Sequence, residues 1–259
     1  VFRAAFEDVF DVREPKPAGA GTRRPPRWRN GVLCFHYEGR DEIHRSLSVH
    51  CEPQPDVEDE AGATFYLRLA PQERREILLS LVVKESPDRC ETEPHRYHQP
   101  NRGQMQARHR AASDAWLARE ARLLSDSLVV NRVMEQSQRA LHVLQSRLQD
   151  QSYFAAGVPW YVALFGRDSL ITALQTLAYD PDIAAQTLRL LARHQGRRED
   201  RWREEEPGKI LHELRTGEKA RLGEIPHAPY YGTIDATLLF LILIGRHAAW
   251  TGRLDLFKE

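Results

Sequence analysis

The sequence predicts an α+β protein, in which an N-terminal antiparallel β-sandwich is followed by a helical domain. The spacing of apolar residues changes from a period of two before about residue 85 to a helical period after about residue 113. The intervening residues, 86–112, are rich in Pro, His, Arg and Asn and poor in apolar side chains, which predicts a linker. The predicted domains are therefore 1–85 and 113–259, joined by this linker.

The composition restricts the classes of function. The 259 residues carry 37 basic and 37 acidic side chains, so the net charge of zero provides no basic field for nucleic acid. The cysteines Cys34, Cys51 and Cys90 lack C-x-x-C spacing, which argues against a zinc site or a disulfide framework and favours a reducing compartment. Without a run of 18 apolar residues or a signal pattern, we expect a cytoplasmic protein that does not act at a membrane.

Short apolar segments in the N-terminal domain are predicted to be strands. Turn clusters separate them every 10 to 20 residues, which is typical of an antiparallel sandwich. The segment 15–30, rich in proline and arginine, is predicted to be a surface loop, and a nucleic-acid-binding arm is the less favoured alternative. The predicted strands are 6–12, 32–37, 45–51, 63–69 and 75–84.

The C-terminal domain is predicted to contain four or five helices. Apolar residues form one face between 131 and 148, after a weaker helical pattern at 115–124. Helices over 168–178 and 183–195 form a predicted antiparallel hairpin. The helix at 234–244 is apolar on nearly every face, which predicts that other helices surround it. Repeated helical hairpins with loops on one rim are the pattern of an α/α toroid.

The stretch 154–177, FAAGVPWYVALFGRDSLITALQTL, contains the first candidate site. Glycine and proline bend an aromatic loop around Trp160, and Arg167 and Asp168 follow at the start of an amphipathic helix. An aromatic surface beside a guanidinium and a carboxylate suits a polyhydroxylated ligand. The alternative is that Asp168 only stabilises the helix dipole, which is worth at most about 1 kcal/mol.

A second acid, Asp235, stands where another aromatic segment enters a helix. Gly232-Thr-Ile-Asp235 parallels Gly166-Arg-Asp168, and a toroid would bring both acids to one mouth. Paired carboxylates are the groups that hydrolyse glycosidic bonds. Helix capping with Thr233 is the alternative role. Burial would raise the pKa of Asp235 and the helix N-terminus would lower it, and the sequence leaves the balance open.

A long charged segment precedes Asp235. Residues 197–206, RREDRWREEE, are predicted to be a solvated loop in which Trp202 is the exception. Residues 204–218 extend it, and long loops in compact domains tend to carry function. His212-Glu213 begins the pattern of a zinc-protease helix, but Thr216 stands where the second histidine would be, so that hypothesis fails.

These motifs resemble the bacterial relatives of the amylo-α-1,6-glucosidase (glycogen debranching enzyme) family, over most of the chain. The resemblance implies an N-terminal β-sandwich followed by an (α/α)6 barrel of the six-hairpin glycosidases. Such a barrel has twelve helices, so we expect this chain to hold its first part, with the general base beyond residue 259. The motifs are AFEDVFDVR (5–13), AAGVPWYVALFGRDS (155–169), EEPGKILHELR (205–215) and PYYGTIDATLLF (229–240).

The resemblance also implies roles for individual residues. Asp235 corresponds to the general acid, although Gly232-Thr-Ile234 replaces the family's Asn-x-Arg, and Arg167 with Asp168 corresponds to the pair that binds the terminal glucose. The implied reaction is inverting hydrolysis of α-glucosidic bonds in glycogen-like or small α-glucans, without metal or organic cofactor. The alternative is a non-catalytic carbohydrate-binding or regulatory protein on the same scaffold. The other predicted substrate-binding residues are Trp160, Glu206, His212, Glu213 and Tyr231, with Glu206 and Glu213 as reserve candidates for the acid.

Overall fold

The computed structural model describes residues 1–13, 21–87, 102–119, 121 and 124–258. The chain divides into two compact units, Val1–Met105 and Gln106–Glu259. The first is built on an antiparallel sheet and the second mainly on helices, which confirms the α+β class. Cys90 and most of the predicted linker lie outside the described residues, whereas Cys34 and Cys51 are buried free thiols.

The first unit contains a four-stranded antiparallel sheet in the order β1-β2-β3-β6, and a separate hairpin of β4 and β5. One face of the sheet carries the core, where the buried residues Leu33, Phe35 and Val49 pack against Phe2 and Phe6. The sandwich prediction is therefore supported as far as one antiparallel sheet. The strands are β1 (Thr22–Arg29), β2 (Val32–Glu38), β3 (His44–Glu52), β4 (Val57–Asp59), β5 (Gly62–Thr64) and β6 (Leu78–Ser86).

Three predictions for the first unit are wrong in detail. Strand β1 occupies the predicted loop 15–30, because Pro25-Pro26 lies at a register shift on an edge strand, where missing N–H donors are tolerated. The predicted strand 6–12 is instead a segment without regular structure that leads into a short helix, α1 (Val9–Arg13). The predicted strand 63–69 is reduced to β5, and residues 65–70 have no regular structure.

The second unit has its core where α4, α5 and α7 pack together. Helix α5 begins as predicted, with the Asp180 carboxylate accepting from the backbone N–H groups of Asp182 and Ile183 and with Pro181 in the first turn. The predicted α4–α5 hairpin is confirmed. The elements are α2 (Arg102–Arg119), α3 (Leu128–Leu144), β7 (Gln145–Leu148), β8 (Gln151–Phe154), β9 (Leu164–Phe165), α4 (Gly166–Gln175), α5 (Pro181–Arg193), β10 (Glu213–Leu214), α6 (Glu218–Arg221), α7 (Asp235–Thr251) and a 3₁₀ turn (Asp255–Phe257).

The second unit also departs from the prediction of helices alone. The helix predicted to reach residue 148 ends at Leu144, and β7 then pairs with β8 in a hairpin. Helix α2 covers 102–112 of the predicted linker. Among the described residues α7 is not surrounded, since Leu238 and Leu241 are exposed on its outer face. No helix in the described ranges is both long and apolar enough to cross a membrane.

Candidate functional site

The aromatic loop before α4 folds back on itself. The backbone N–H of Tyr161 donates to the Gly157 carbonyl at 2.9 Å, and the N–H of Gly157 returns a bond to the Tyr161 carbonyl at 3.3 Å. Trp160 lies inside this closed turn and leaves 41% of its surface exposed. We name residues 157–162 the aromatic loop. It presents a flat apolar side chain to solvent, which is the surface that a sugar ring stacks on.

Helix α4 starts in close contact with two other segments. The Gly166 N–H donates to the His212 carbonyl at 2.9 Å, and Phe165 pairs with Glu213 in the β9–β10 ladder. A Cβ on Gly166 would collide with the Leu211 carbonyl oxygen and would lie 3.1 Å from Cβ of Ala236. Only glycine permits this approach, which places the start of α4 against the start of α7.

The close approach brings Arg167, Asp168 and Asp235 together, and we name these three residues the acid–arginine cluster. Arg167 Nη1 lies 3.6 Å from Asp235 Oδ2, and its Nη2 lies 3.5 Å from Asp168 Oδ2. The side chains are 45%, 33% and 37% exposed for Arg167, Asp168 and Asp235. At these distances the ion pairs are loose, and although Asp168 Oδ2 itself is buried, part of each side chain remains exposed to the hydroxyl groups of a ligand.

The surroundings of Asp235 lower its pKa, and the largest cause is neither burial nor the helix N-terminus. The Thr233 hydroxyl donates to Asp235 Oδ1 and is the main reason that the pKa of Asp235 falls below its ordinary value of 3.8. The positive charge of Arg167 lowers this pKa further, and partial burial opposes both effects. Asp235 is therefore ionised at neutral pH in this arrangement. A general acid must instead carry a proton when the reaction begins.

The two tyrosines before α7 differ in placement. Tyr231 is only 3% exposed, and its hydroxyl donates to the His194 carbonyl at 2.8 Å. Its predicted role as a sugar-facing aromatic does not fit this position in the core. Tyr230 lies edge to face with His212, with centroids 6.0 Å apart, and its hydroxyl donates to Glu204 Oε1 at 2.8 Å. That bond is the main reason that the pKa of Tyr230 is raised.

Glu213 and His212 lie behind the aromatic loop. Glu213 is 6% exposed, and its Oε1 lies 3.4 Å from Arg215 Nε and 3.3 Å from His227 Nε2. Burial lowers the pKa of His227 more than Glu213 raises it. His212 packs edge to face on Phe165 at 5.7 Å. Arg215 was not predicted as a site residue, although the motif EEPGKILHELR ends on it.

The charged segment 197–206 forms a loop with its own hydrogen bonds. Asp200 and Glu205 exchange two backbone hydrogen bonds of 3.0 Å each, and Trp202 is exposed at the tip. Glu206 lies on the surface with Lys209 Nζ 2.7 Å away. Its neighbour Glu205 is buried and accepts from the Arg197 N–H at 2.9 Å. The structure records contacts of Glu206 with Lys209 and none with the acid–arginine cluster, within the part of the chain that it describes.

No group of three or more His, Cys, Asp or Glu side chains in the described ranges could hold a metal ion.

Comparison with known families bears on the first unit. Residues 1–80 match the family model described as the N-terminal domain of (some) glycogen debranching enzymes. This match confirms the resemblance for the N-terminal portion of the chain. The matched residues cover most of the sheet unit, whereas the acid–arginine cluster lies outside them. No curated protein matches the chain.

Proposed function

We propose that this protein is a glycosidase of the glycogen-debranching type, which binds an α-glucan and hydrolyses an α-glucosidic bond with inversion. The match of residues 1–80 supports a glycogen-related family. The observation that carries the proposal is the position of the Arg167 guanidinium between two carboxylates, 3.5 Å from Asp168 and 3.6 Å from Asp235. Two helix starts that are 69 residues apart in the sequence meet to produce it.

The chemistry of the cluster favours a neutral polyol. Two carboxylates around one guanidinium leave a net negative charge, which disfavours an anionic ligand. The guanidinium can donate to sugar oxygens, and the carboxylates accept from sugar hydroxyls in charge-assisted hydrogen bonds. Trp160 supplies the apolar surface for the ring. A glucose unit of an α-glucan has all of these features.

In the proposed reaction Asp235 protonates the oxygen of the leaving glucan. This step needs a protonated acid, so binding must raise the pKa of Asp235 by excluding water and by bringing a second carboxylate near. Inversion requires that carboxylate about 6.5–9.5 Å away, where it takes a proton from a water molecule while the water oxygen bonds to the anomeric carbon and the bond to the leaving oxygen breaks. Neither Glu213 nor Glu206, the reserve candidates for the acid, suits the role of the acid, because Glu213 is paired with Arg215 and His227, and Glu206 is paired with Lys209.

The lowered pKa of Asp235 favours a second candidate, a non-catalytic carbohydrate-binding protein. A carboxylate that stays ionised is a good acceptor for sugar hydroxyls and a poor proton donor. On this hypothesis the same cluster binds the sugar and no bond is broken.

The variant Asp235→Asn of the full-length protein tests both functions. For the glycosidase, kcat on a maltooligosaccharide should fall by at least about 10²-fold with KM roughly unchanged. The loss should be smaller with α-glucosyl fluoride, whose leaving group needs little protonation. For the binding protein, the wild type should show no turnover, and calorimetry with maltoheptaose should show affinity about tenfold lower in the variant.

The matched control is Asp182→Asn, which removes a carboxylate from the first turn of α5. Kinetics and affinity should be unchanged in this variant. A wild-type protein that neither binds maltoheptaose nor cleaves either substrate would contradict both functions.

A further inference from the structure

We infer that Arg215, held by Glu213, is a positioning residue that fixes the aromatic loop, which leads through β9 into the start of α4. The inference rests on the proposed function for the role of Trp160 in binding a sugar. The contacts of Arg215 are the evidence that it fixes the loop. It also gives Glu213 a role that requires no contact with substrate.

The guanidinium of Arg215 contacts three parts of the site. Its Nη1 donates to the Trp160 carbonyl at 3.0 Å, which is a bond to the backbone of the aromatic loop. Its Cζ lies 5.3 Å from the centroid of the Phe165 ring, in β9. Its Nε donates to Glu213 Oε1 at 3.4 Å, in β10. One planar group thus links the aromatic loop to β9, which leads into α4, and to β10, which pairs with β9.

The ion pair of Arg215 and Glu213 is largely buried, so each charge depends on its partner. The side chains are 13% and 8% exposed, so loss of either partner would leave a desolvated charge. The backbone N–H of Arg215 also donates to the His227 carbonyl at 2.7 Å, which fixes the base of the side chain. A lysine could keep the charge, but it lacks the planar fork that reaches a carbonyl and a carboxylate together while stacking on a ring.

The aromatic loop needs such a link. Its described backbone bonds are local, from Tyr161 to Gly157 and from Ala163 to Tyr161. The bond from Arg215 to Trp160 connects the loop to a segment 55 residues away. Fixing the carbonyl limits the directions that the exposed indole can take before a sugar arrives, and preorganisation of this kind raises affinity.

The primary test is amide hydrogen exchange in Arg215→Lys. Exchange at residues 157–163 should be at least about tenfold faster than in the wild type, because local opening becomes easier. Exchange in α5 (Pro181–Arg193) should be unchanged. Glu213→Gln should give the same local effect, because it removes the charge that holds Arg215 while keeping the side-chain volume, and it serves as the test if Arg215→Lys does not fold.

The matched control is Arg253→Lys. Arg253 also binds carboxylates, at 3.0 Å to Asp255 and 3.5 Å to Asp182. It follows the C-terminal end of the 17-residue helix α7, about 25 Å from the end that carries Asp235. Exchange in the aromatic loop should be unchanged in this variant.

A double-mutant cycle links the loop to the sugar. Arg215→Lys should lower the affinity for maltoheptaose about tenfold, and it should have no further effect in a Trp160→Ala background. Additive effects would overturn the inference, and so would loop exchange that stays unchanged or rises equally in α5. If the wild type binds no maltoheptaose, the proposed function fails, and the exchange experiment alone decides whether Arg215 positions the loop.

Discussion

The helices that carry the two candidate acids, α4 and α7, begin on different supports. Helix α4 continues directly from β9, where Phe165 is buried and pairs with Glu213. Helix α7 follows a turn in which the Thr233 N–H donates to the Tyr231 carbonyl at 2.7 Å, and Ile234 is 89% exposed. Asp168 is therefore placed by buried backbone, whereas Asp235 is oriented by a hydroxyl group at the surface.

The comparison shows that two similar sequence motifs serve different purposes. In the first motif the glycine, Gly166, allows close packing against a carbonyl oxygen of the chain itself. In the second, a Cβ on Gly232 would meet the hydroxyl end of the Tyr230 ring. The Leu211 carbonyl lies between Ile210 and His212, whose backbone groups are hydrogen-bonded, so it can move less easily than the end of a side chain can.

The largest expected difference is in stability. Gly166→Ala should lower the free energy of unfolding by about 3 kcal/mol, whereas Gly232→Ala should lower it by about 1 kcal/mol, because Tyr230 can rotate at the cost of its hydrogen bond to Glu204. Urea denaturation of the two variants measures both values. The control is Gly245→Ala, which has open space around the added Cβ within α7 and should raise stability by about 0.5–1 kcal/mol. Equal losses for the first two would remove the distinction between the junctions.

Much of the fold could be predicted because local spacing determines it. The period of the apolar residues located β2, β3 and β6, and capping residues located α5. The errors arose where a distant partner decides the structure. Residues 145–148 continue a helical spacing, but they pair with 151–154 and form a strand. Pro25-Pro26 suggests a loop until β2 is present to pair with the residues on either side.

The candidate site likewise has features that the sequence could predict and features that it could not. The convergence of Arg167, Asp168 and Asp235 could be proposed because each motif places its acid at a helix start. The burial of Tyr231 and the contacts of Arg215 could not, because they depend on His194 and Trp160, which lie 37 and 55 residues away. No repeated motif marks these two contacts, so the spacing along the chain gave no sign of them.

A smaller effect is expected from Asp168→Asn. A carboxylate in the first turn contributes at most about 1 kcal/mol to a helix, so the free energy of unfolding measured in urea should fall by less than this. The variant also loses the charge that lies 3.5 Å from Arg167, so affinity for maltoheptaose should fall about tenfold, or about 1.4 kcal/mol. Urea denaturation and calorimetry with maltoheptaose, on the same samples, compare the loss of stability with the loss of affinity. Parallel losses of stability and affinity would favour the capping role of Asp168.

The smallest effect should come from Thr233→Val, which changes only the support of Asp235. Valine keeps the shape of threonine and removes the hydroxyl that donates to the carboxylate, so the pKa of Asp235 should rise toward 3.8. Carbon-13 NMR of the Asp235 carboxyl group measures this directly. A pKa that does not rise would show that Arg167, rather than the hydroxyl, determines it.

The same variant separates the two proposed functions. A lowered pKa stabilises the fold above the unfolded-state value, and this contribution is lost as the pH falls through the folded-state value. Thr233→Val should weaken that contribution, by a small amount because the carboxylate is more than one-third exposed. If Asp235 is a general acid, a higher pKa brings it closer to the protonated form, and activity at pH 5 should rise relative to the wild type. If Asp235 only accepts hydrogen bonds from a sugar, the carboxylate loses its orientation, and affinity should fall at every pH.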